Sequence, residues 1–218
     1  MISPADRRLF YFNVYGTGTT SIIYEDYYKY DKYQKGDLRM YTGNYECLEL
    51  FVKPDEGKKG SVLLKNVKES TTETKELKHI YGNWIKIPVS RNTEYEISTQ
   101  DCTITFAYLS ECENIMENGI CVLDTTDNYK EMNKEEFLRF IDTPYREQYH
   151  FSPVVNWNND PNGLCWFKGY YHLFYQLNPF GQEWNNMYWG HAASKDLMHW
   201  THLPVALEPQ EEILDNLA

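Results

Sequence analysis

Apolar and polar positions tend to alternate in short segments through the first half of the chain, and this pattern predicts β-strands with one buried face. Glycine, asparagine and proline residues separate the segments and favour turns at 16–18, 42–44, 54–57 and 82–83. The predicted strands are 8–15, 46–52, 61–67, 84–89, 94–98 and 103–109. Strands at this spacing favour a small β-sandwich over residues 1–110.

A helical pattern follows the predicted sandwich. Asn133 suits the N-cap position, and Glu136 three residues later completes a capping box. The apolar residues on one face are Phe137, Phe140 and Ile141. Pro144 disfavours the helical conformation of the residue before it, so we expect the helix to end there. Residues 111–148 are therefore interpreted as a linker with a short helix.

Short strands and tight turns follow one another closely from residue 149 onward. The pattern predicts an extended segment at 151–157, a turn at 160–163, a strand to 167, a turn at 168–169 and strands at 170–176, 187–194 and 199–207. Antiparallel strands joined in this way are typical of β-propeller blades. We predict an all-β chain, in which residues 149–218 form one blade and the start of the next.

The charge of the chain restricts the class of partner. The formal net charge is -11, and the lysines between residues 53 and 78 are interleaved with glutamates. Nucleic acid and anionic membranes would be repelled, so we expect a neutral small-molecule or oligosaccharide partner.

Cysteine spacing and the N-terminal residues bear on compartment and metal binding. The five cysteines form no C-x-x-C pair, which disfavours a disulfide framework or a zinc site. The first twelve residues contain no apolar run typical of a signal peptide. We expect a cytoplasmic protein, although a signal sequence upstream of residue 1 remains an alternative. Three histidines, His191, His199 and His202, are interpreted as scaffold and not as metal ligands.

The richest candidate chemistry lies in the segment Trp157-Asn158-Asn159-Asp160-Pro161-Asn162-Gly163. Pro161 fixes the backbone and Gly163 permits a reversal, so we expect Asp160 at a rigid strand end. Amide groups of Asn159 and Asn162 would favour an ionised carboxylate, as a nucleophile requires. The alternative is a plain hairpin turn in which Asp160 caps its own backbone.

The surrounding residues resemble the family-32 glycoside hydrolases, the invertases, inulinases and levanases. Their signature Trp-Met-Asn-Asp-Pro-Asn-Gly is similar to residues 157–163, with Asn158 in place of the usual methionine. The similarity covers about 149–209 and includes Gln148-Tyr-His-Phe-Ser-Pro153, Tyr171-His-Leu-Phe-Tyr-Gln-Leu-Asn-Pro-Phe180, Trp189-Gly-His-Ala192, Ser194-Lys-Asp-Leu197 and His199-Trp200.

The resemblance implies a five-bladed propeller and double-displacement hydrolysis of β-fructosides such as sucrose, inulin or levan, without a metal or organic cofactor. Asp160 would be the nucleophile. Asn159 and Gln176 would contact sugar hydroxyls, and Trp184 would form an aromatic wall of the sugar site. Fructosyl transfer to another sugar is a variant of the same chemistry.

The resemblance also implies groups that the sequence after Asp160 does not supply. A retaining glycosidase needs a second carboxylate about 5–5.5 Å from the nucleophile. The family's acid/base lies in a Glu-Cys context and its transition-state stabiliser in Arg-Asp-Pro, and neither follows Asp160. We reject Glu111, which precedes Asp160, as the acid/base. The later glutamates Glu183, Glu208, Glu211 and Glu212 lack the family context.

We therefore expect a truncated propeller, whose unpaired blade edge would leave the last third poorly folded, aggregation-prone or swapped with a partner. The alternative functions are a non-catalytic fructan-binding module or a structural cap of a longer enzyme. The tyrosines that could form such a binding surface are Tyr24, Tyr27, Tyr28, Tyr30 and Tyr33.

Overall fold

The computed structural model describes residues 38–125, 130–131 and 150–209. Nearly all regular structure in these residues is β. The first nine strands are β1 (Leu38–Tyr41), β2 (Cys47–Pro54), β3 (Ser61–Asn66), β4 (Thr71–Glu76), β5 (Asn83–Pro88), β6 (Glu94–Gln100), β7 (Cys102–Ser110), β8 (Cys121–Asp124) and β9 (Lys130–Glu131). A single helical turn, α1 (Ile115–Asn118), lies between β7 and β8. The last four strands are β10 (Trp157–Phe167), β11 (Tyr170–Asn178), β12 (Tyr188–Ser194) and β13 (Trp200–Leu207).

The first nine strands form two antiparallel sheets, in the orders β1-β6-β3-β4 and β5-β2-β7-β8-β9. Alternate residues of β3 are buried, as the sequence pattern predicts for a strand with one covered face. Apolar residues from both sheets meet in one core, which includes Val62, Leu64, Ile97, Leu48, Leu50 and Ile104. The N-terminal part is therefore a β-sandwich, as expected.

Five strands predicted for the sandwich are confirmed, with ends that differ by one or two residues: 46–52, 61–67, 84–89, 94–98 and 103–109. The strand predicted at 8–15 and the helix predicted from Asn133 lie outside the described residues. Strands β8 and β9 continue the larger sheet beyond residue 110, within the segment interpreted as a linker.

The last four strands form a second antiparallel unit, in the order β10-β11-β12-β13. Each strand pairs with the next one along the chain, which is the arrangement of a propeller blade. The predicted fold class is confirmed: the described residues are nearly all β, with a sandwich followed by a blade.

The turn predicted at 160–163 is wrong. Strand β10 continues through Asp160, Pro161 and Gly163, and two register shifts absorb the irregular residues as β-bulges. Pro161 is tolerated because β10 is the first strand of its sheet, so the missing amide proton costs no interior hydrogen bond. Asp160 therefore lies within a strand and not at its end. The segment 151–156, predicted to be extended, forms no strand before β10 begins.

One face of the blade packs against the larger sheet of the sandwich. The shared apolar cluster contains Phe51, Phe106, Tyr108 and Val122 from the sandwich and Tyr175, Leu177, Phe180, Tyr188, Ala192 and Val205 from the blade. The ring of Phe51 lies 6.0 Å from that of Phe180 and 5.9 Å from that of Tyr188, both edge to face. This packing argues against the expectation that the last third of the chain is poorly folded.

The one helix in the described ranges, α1, is far too short to cross a membrane.

Candidate active site

The bulges in β10 place the candidate nucleophile beside a predicted sugar contact. Asn158 pairs with Leu177 of β11, and Pro161 pairs with Tyr175. Asn159 and Asp160 are thus the two residues that bulge opposite Gln176. The side chains of Asn159 and Asp160 are exposed, and Gln176 is half-buried. The pairing brings these three predicted site residues together at one end of the blade.

A loop between β11 and β12 carries Trp184 to the same end of the blade. Trp157, the first residue of β10, pairs with Asn178, the last residue of β11. Asn178 accepts a hydrogen bond from the amide of Phe180 at 3.0 Å and donates through Nδ2 to the carbonyl of Glu183 at 2.8 Å. Trp184 follows directly, and this residue is 61% exposed. An exposed indole on a hydrogen-bonded loop can stack on the apolar face of a sugar ring.

Asn162 adds a buried donor close to Asp160. Its Nδ2 atom is shielded from solvent, and it donates to no acceptor among the described residues. An unsatisfied buried donor costs about 1–3 kcal/mol, and such groups call for an explanation, often a functional one. The asparagines on both sides of Asp160 in the motif thus supply amide groups at this end of β10.

A second polar cluster, which the sequence did not predict, lies on the blade. Nδ1 of His172 lies 3.0 Å from Nε2 of His191, and Nε2 of His172 lies 3.3 Å from the carbonyl of Phe167. Because that carbonyl can only accept, His172 donates through Nε2, and His191 donates to its Nδ1. His191 also stacks on Phe174 at 4.3 Å. Burial, and secondly the neighbouring His172, lowers the pKa of His191 to about 4, so His191 is neutral near pH 7.

The histidines considered as metal ligands do not converge. His191 bonds to His172, whereas Nδ1 of His199 lies 2.7 Å from Asp196. Asp196 also accepts from the amide groups of Met198 and His199 in its turn, and these bonds hold its pKa well below the ordinary value. No group of three or more histidine, cysteine or acidic residues within the described ranges is arranged to hold a metal ion.

Glu111, with Cys112 next to it, forms a Glu-Cys pair that directly follows β7 of the sandwich. Glu111 accepts a hydrogen bond from Nδ2 of Asn118 at 2.6 Å, beside α1. A second Glu-Cys pair, Glu46-Cys47, also precedes Asp160 in the sequence. Hydrogen bonds from Cys112, and also Arg91, lower the pKa of Glu46. Glu183 and Glu208 are exposed, and Glu211 and Glu212 lie outside the described residues.

Comparison with known proteins places the site in context. Residues 150–217 match the family model of the glycosyl hydrolases family 32 N-terminal domain. A levanase from Bacillus subtilis is 59% identical over 73 residues, which are 34% of this chain and 11% of the levanase. An extracellular exo-inulinase from Aspergillus niger is 65% identical over 66 residues, which are 30% of this chain and 12% of the exo-inulinase.

A solved structure extends the likeness to the sandwich. The structure of a glycoside hydrolase family 32 protein from Bifidobacterium adolescentis is 34% identical, with a TM-score of 0.71, over 81% of this chain and 28% of that chain. Such coverage reaches well beyond residues 150–217, so the sandwich and the blade are both part of this likeness. The chain spans about a quarter or less of the length of the proteins that it matches.

Proposed function

We propose, from the match of residues 150–217 to the glycosyl hydrolases family 32 N-terminal domain, that the protein serves retaining hydrolysis of β-fructosides. The observation that carries the proposal is the bulge of β10, which sets Asp160 and Asn159 opposite Gln176 at an exposed end of the blade. Levan and inulin, after which the two relatives are named, are the fructans to test first, together with sucrose.

In the proposed reaction the carboxylate of Asp160 attacks the anomeric carbon of a terminal fructosyl unit. The bond from that carbon to the leaving oxygen breaks, and a general acid donates a proton to this oxygen. Water then attacks the same anomeric carbon while a general base takes the proton of the water. The bond from that carbon to the Asp160 oxygen breaks, and fructose leaves with net retention. The residues described here are assigned the nucleophile and part of the sugar subsite, and none of them is assigned the general acid.

The neighbouring side chains suit a fructosyl unit. Asn159 and Gln176 bring amide donors and acceptors to a ring with several hydroxyl groups, which must not be buried unpaired. Asn162, two residues after the nucleophile in the sequence, carries a further donor, whose Nδ2 atom is buried and unpaired among the described residues. Trp184 offers an exposed apolar face.

Covalent labelling tests the role of Asp160 without requiring a general acid. A β-fructosyl donor whose leaving group departs without protonation should add one fructosyl unit to the 218-residue chain, as measured by intact mass. Peptide mapping should locate the label within β10. Asp160→Asn should abolish the label, and Asp55→Asn, which changes an exposed aspartate of the sandwich, should retain it. An unlabelled wild type, or equal labelling of Asp160→Asn, would refute the assignment.

A structural role for the sandwich is the second candidate function, and the apolar contact with the blade favours it. The larger sheet covers one blade face instead of presenting that face to a polysaccharide. The tyrosines considered for carbohydrate binding lie outside the described residues. Residues 1–140 alone, which include these tyrosines, should therefore bind no inulin in a pull-down assay, and clear binding would favour a fructan-binding module.

A further inference from the structure

The sandwich touches the loop of the candidate site through Thr105. In β7 this threonine lies in a bulge: Phe106 pairs with Phe51 and Ile104 pairs with Val52, so Thr105 has no partner on β2. Bulges commonly redirect a side chain away from the regular alternation of a strand. The hydroxyl of Thr105 lies 2.9 Å from the carbonyl oxygen of Pro179 and 3.1 Å from that of Phe51, and its single proton is shared between these two acceptors.

The carbonyl of Pro179 joins three parts of the molecule. Besides the hydroxyl of Thr105, it accepts a hydrogen bond from Nδ2 of Asn156 at 2.8 Å. A carbonyl oxygen has two lone pairs, so both donors can be accommodated. Thr105 belongs to the sandwich, Asn156 directly precedes β10, and Pro179 begins the loop after β11. A single backbone oxygen thus connects the sandwich with both segments that carry candidate site residues.

Phe180, the next residue, is held in a pocket that the sandwich helps to form. Phe180 is only 6% exposed, and its ring lies between Phe51 of the sandwich and Tyr188 of the blade. Gly82 of the sandwich lies so close that a Cβ atom there would come within 2.5 Å of the Phe180 ring. The absence of a side chain at Gly82 is therefore a requirement of this fit.

Hydrogen bonds of the residues after Phe180 connect the loop with the candidate site. The carbonyl of Gly181 accepts a hydrogen bond from the amide of Trp157 at 3.2 Å, at the start of the strand that carries Asp160. The carbonyl of Glu183, beside Trp184, is held by Asn178. Displacement of Pro179 would therefore shift both the aromatic wall and the beginning of β10.

We infer that Thr105 and Gly82 of the sandwich are positioning residues for the loop 179–184 of the candidate active site. The sandwich sets the position of Trp184 relative to β10, although it contributes no side chain to the proposed chemistry. The contacts of Thr105 and Gly82 with the loop are independent of the function of the protein. Only their importance for catalysis rests on the proposed function.

Amide hydrogen exchange of the full chain tests the inference independently of activity. Thr105→Val keeps the shape of the side chain but removes the donor, and Thr105→Ser restores the donor. We expect Thr105→Val to raise exchange in peptides covering 179–187 and at Trp157 by about three- to tenfold, because one of two hydrogen bonds to Pro179 is lost. Thr105→Ser should stay within about twofold of the wild type.

Thr103→Val is the matched control, because Thr103 lies on the same strand in regular pairing with Lys53. It should leave exchange in 179–187 unchanged. Equal exchange in Thr105→Val and the wild type, or an equal rise in the Thr103→Val control, would overturn the inference. Gly82→Ala provides a second variant, and it should raise exchange at Phe180 with little change in β3 and β6.

Binding of a β-fructoside separates this inference from the proposed function. If the chain binds the sugar, Thr105→Val should weaken binding by about the factor seen in exchange, and Thr105→Ser should restore it. Unaltered binding by Thr105→Val would overturn the role in the site. Failure of the wild type to bind would count against the proposed function, while the exchange result would still decide whether the sandwich positions the loop.

Discussion

Replacing Glu49 with leucine should lower the free energy of unfolding by about 2–5 kcal/mol, whereas glutamine at this position should cost less than about 1 kcal/mol. Glu49 is 3% exposed and lies on the sheet face that meets the blade. Its Oε2 atom accepts hydrogen bonds from Nε1 of Trp84 and from the hydroxyl of Tyr108, both at 2.8 Å. The same hydroxyl accepts a bond from the amide of Val205 in β13 at 3.0 Å, so the network reaches the blade.

The contrast between leucine and glutamine follows from the donors that remain. Leucine leaves the Trp84 and Tyr108 donors without their acceptor, at about 1–3 kcal/mol for each buried group. The amide oxygen of glutamine can still accept both bonds. The ion pair with Lys86 matters less, because its atoms are 3.8 Å apart and the lysine side chain is 52% exposed.

The charge of Glu49 itself should weaken the fold near neutral pH. Burial raises its pKa above the ordinary value of 4.5, and this effect exceeds the opposing hydrogen bonds and the attraction to Lys86. The folded state then holds the proton more tightly than the unfolded chain. The contribution of Glu49 to stability therefore falls as pH rises from about 4.5 to the raised folded value, and glutamine should remove this component.

Urea unfolding followed by tryptophan fluorescence at pH 5 and pH 7 measures both effects. Both variants lack the charge, so the difference between their free energies of unfolding at each pH reports the hydrogen-bond acceptor alone. The difference between Glu49→Gln and the wild type reports the charge. If glutamine destabilises the protein as much as leucine at pH 7, the charge and not the acceptor holds the network, and the reasoning fails.

Three further predictions concern the blade. Urea or thermal unfolding should show a single cooperative transition for sandwich and blade, because they share an apolar cluster; two separate transitions would contradict this. Gly190→Ala should cost about 1–3 kcal/mol, since a Cβ atom would come within 2.3 Å of the buried Tyr175 ring, and unchanged stability would show that the ring can move aside. Stability should also fall as pH drops from about 6.5 toward 4, by up to about 2 kcal/mol for the partly exposed His191, because the unfolded chain binds the proton more readily. His191→Phe should reduce this slope, and an unchanged slope would assign it to other groups.

The alternation of apolar residues was sufficient to predict most strands of the sandwich but not its edge. Strand β4 was missed because its sequence, Thr-Thr-Glu-Thr-Lys-Glu, contains no apolar residue and stays largely exposed. It pairs with β3 through backbone groups, which a hydrophobic pattern does not report. The bulge at Asp160 was mistaken for a turn because Asp-Pro-Asn-Gly suits both, and only the partner strand decides between them.

The packing of the sandwich on the blade was not predicted, because Glu49 gives β2 a polar position among apolar ones and suggests one exposed face. Residues 48–52 of β2 are all buried, which indicates a strand covered on both faces. The candidate site residues Asp160, Asn159, Gln176 and Trp184 were predicted from the family resemblance, and the strand pairing and loop hydrogen bonds bring them to one end of the blade. Thr105 was not predicted, because its contact with Pro179 joins residues 74 positions apart.

The fit of Phe180 against Gly82 limits how this molecule can be recombined. A cassette swap that takes the sandwich from one relative and the blade from another would separate the glycine from the phenylalanine that needs it. The aromatic cluster around Phe51 divides in the same way at such a crossover. Chimeras should therefore fold only when Gly82 and Phe180 are inherited together. A crossover within the linker should succeed only between parents that have the same residues at these two positions.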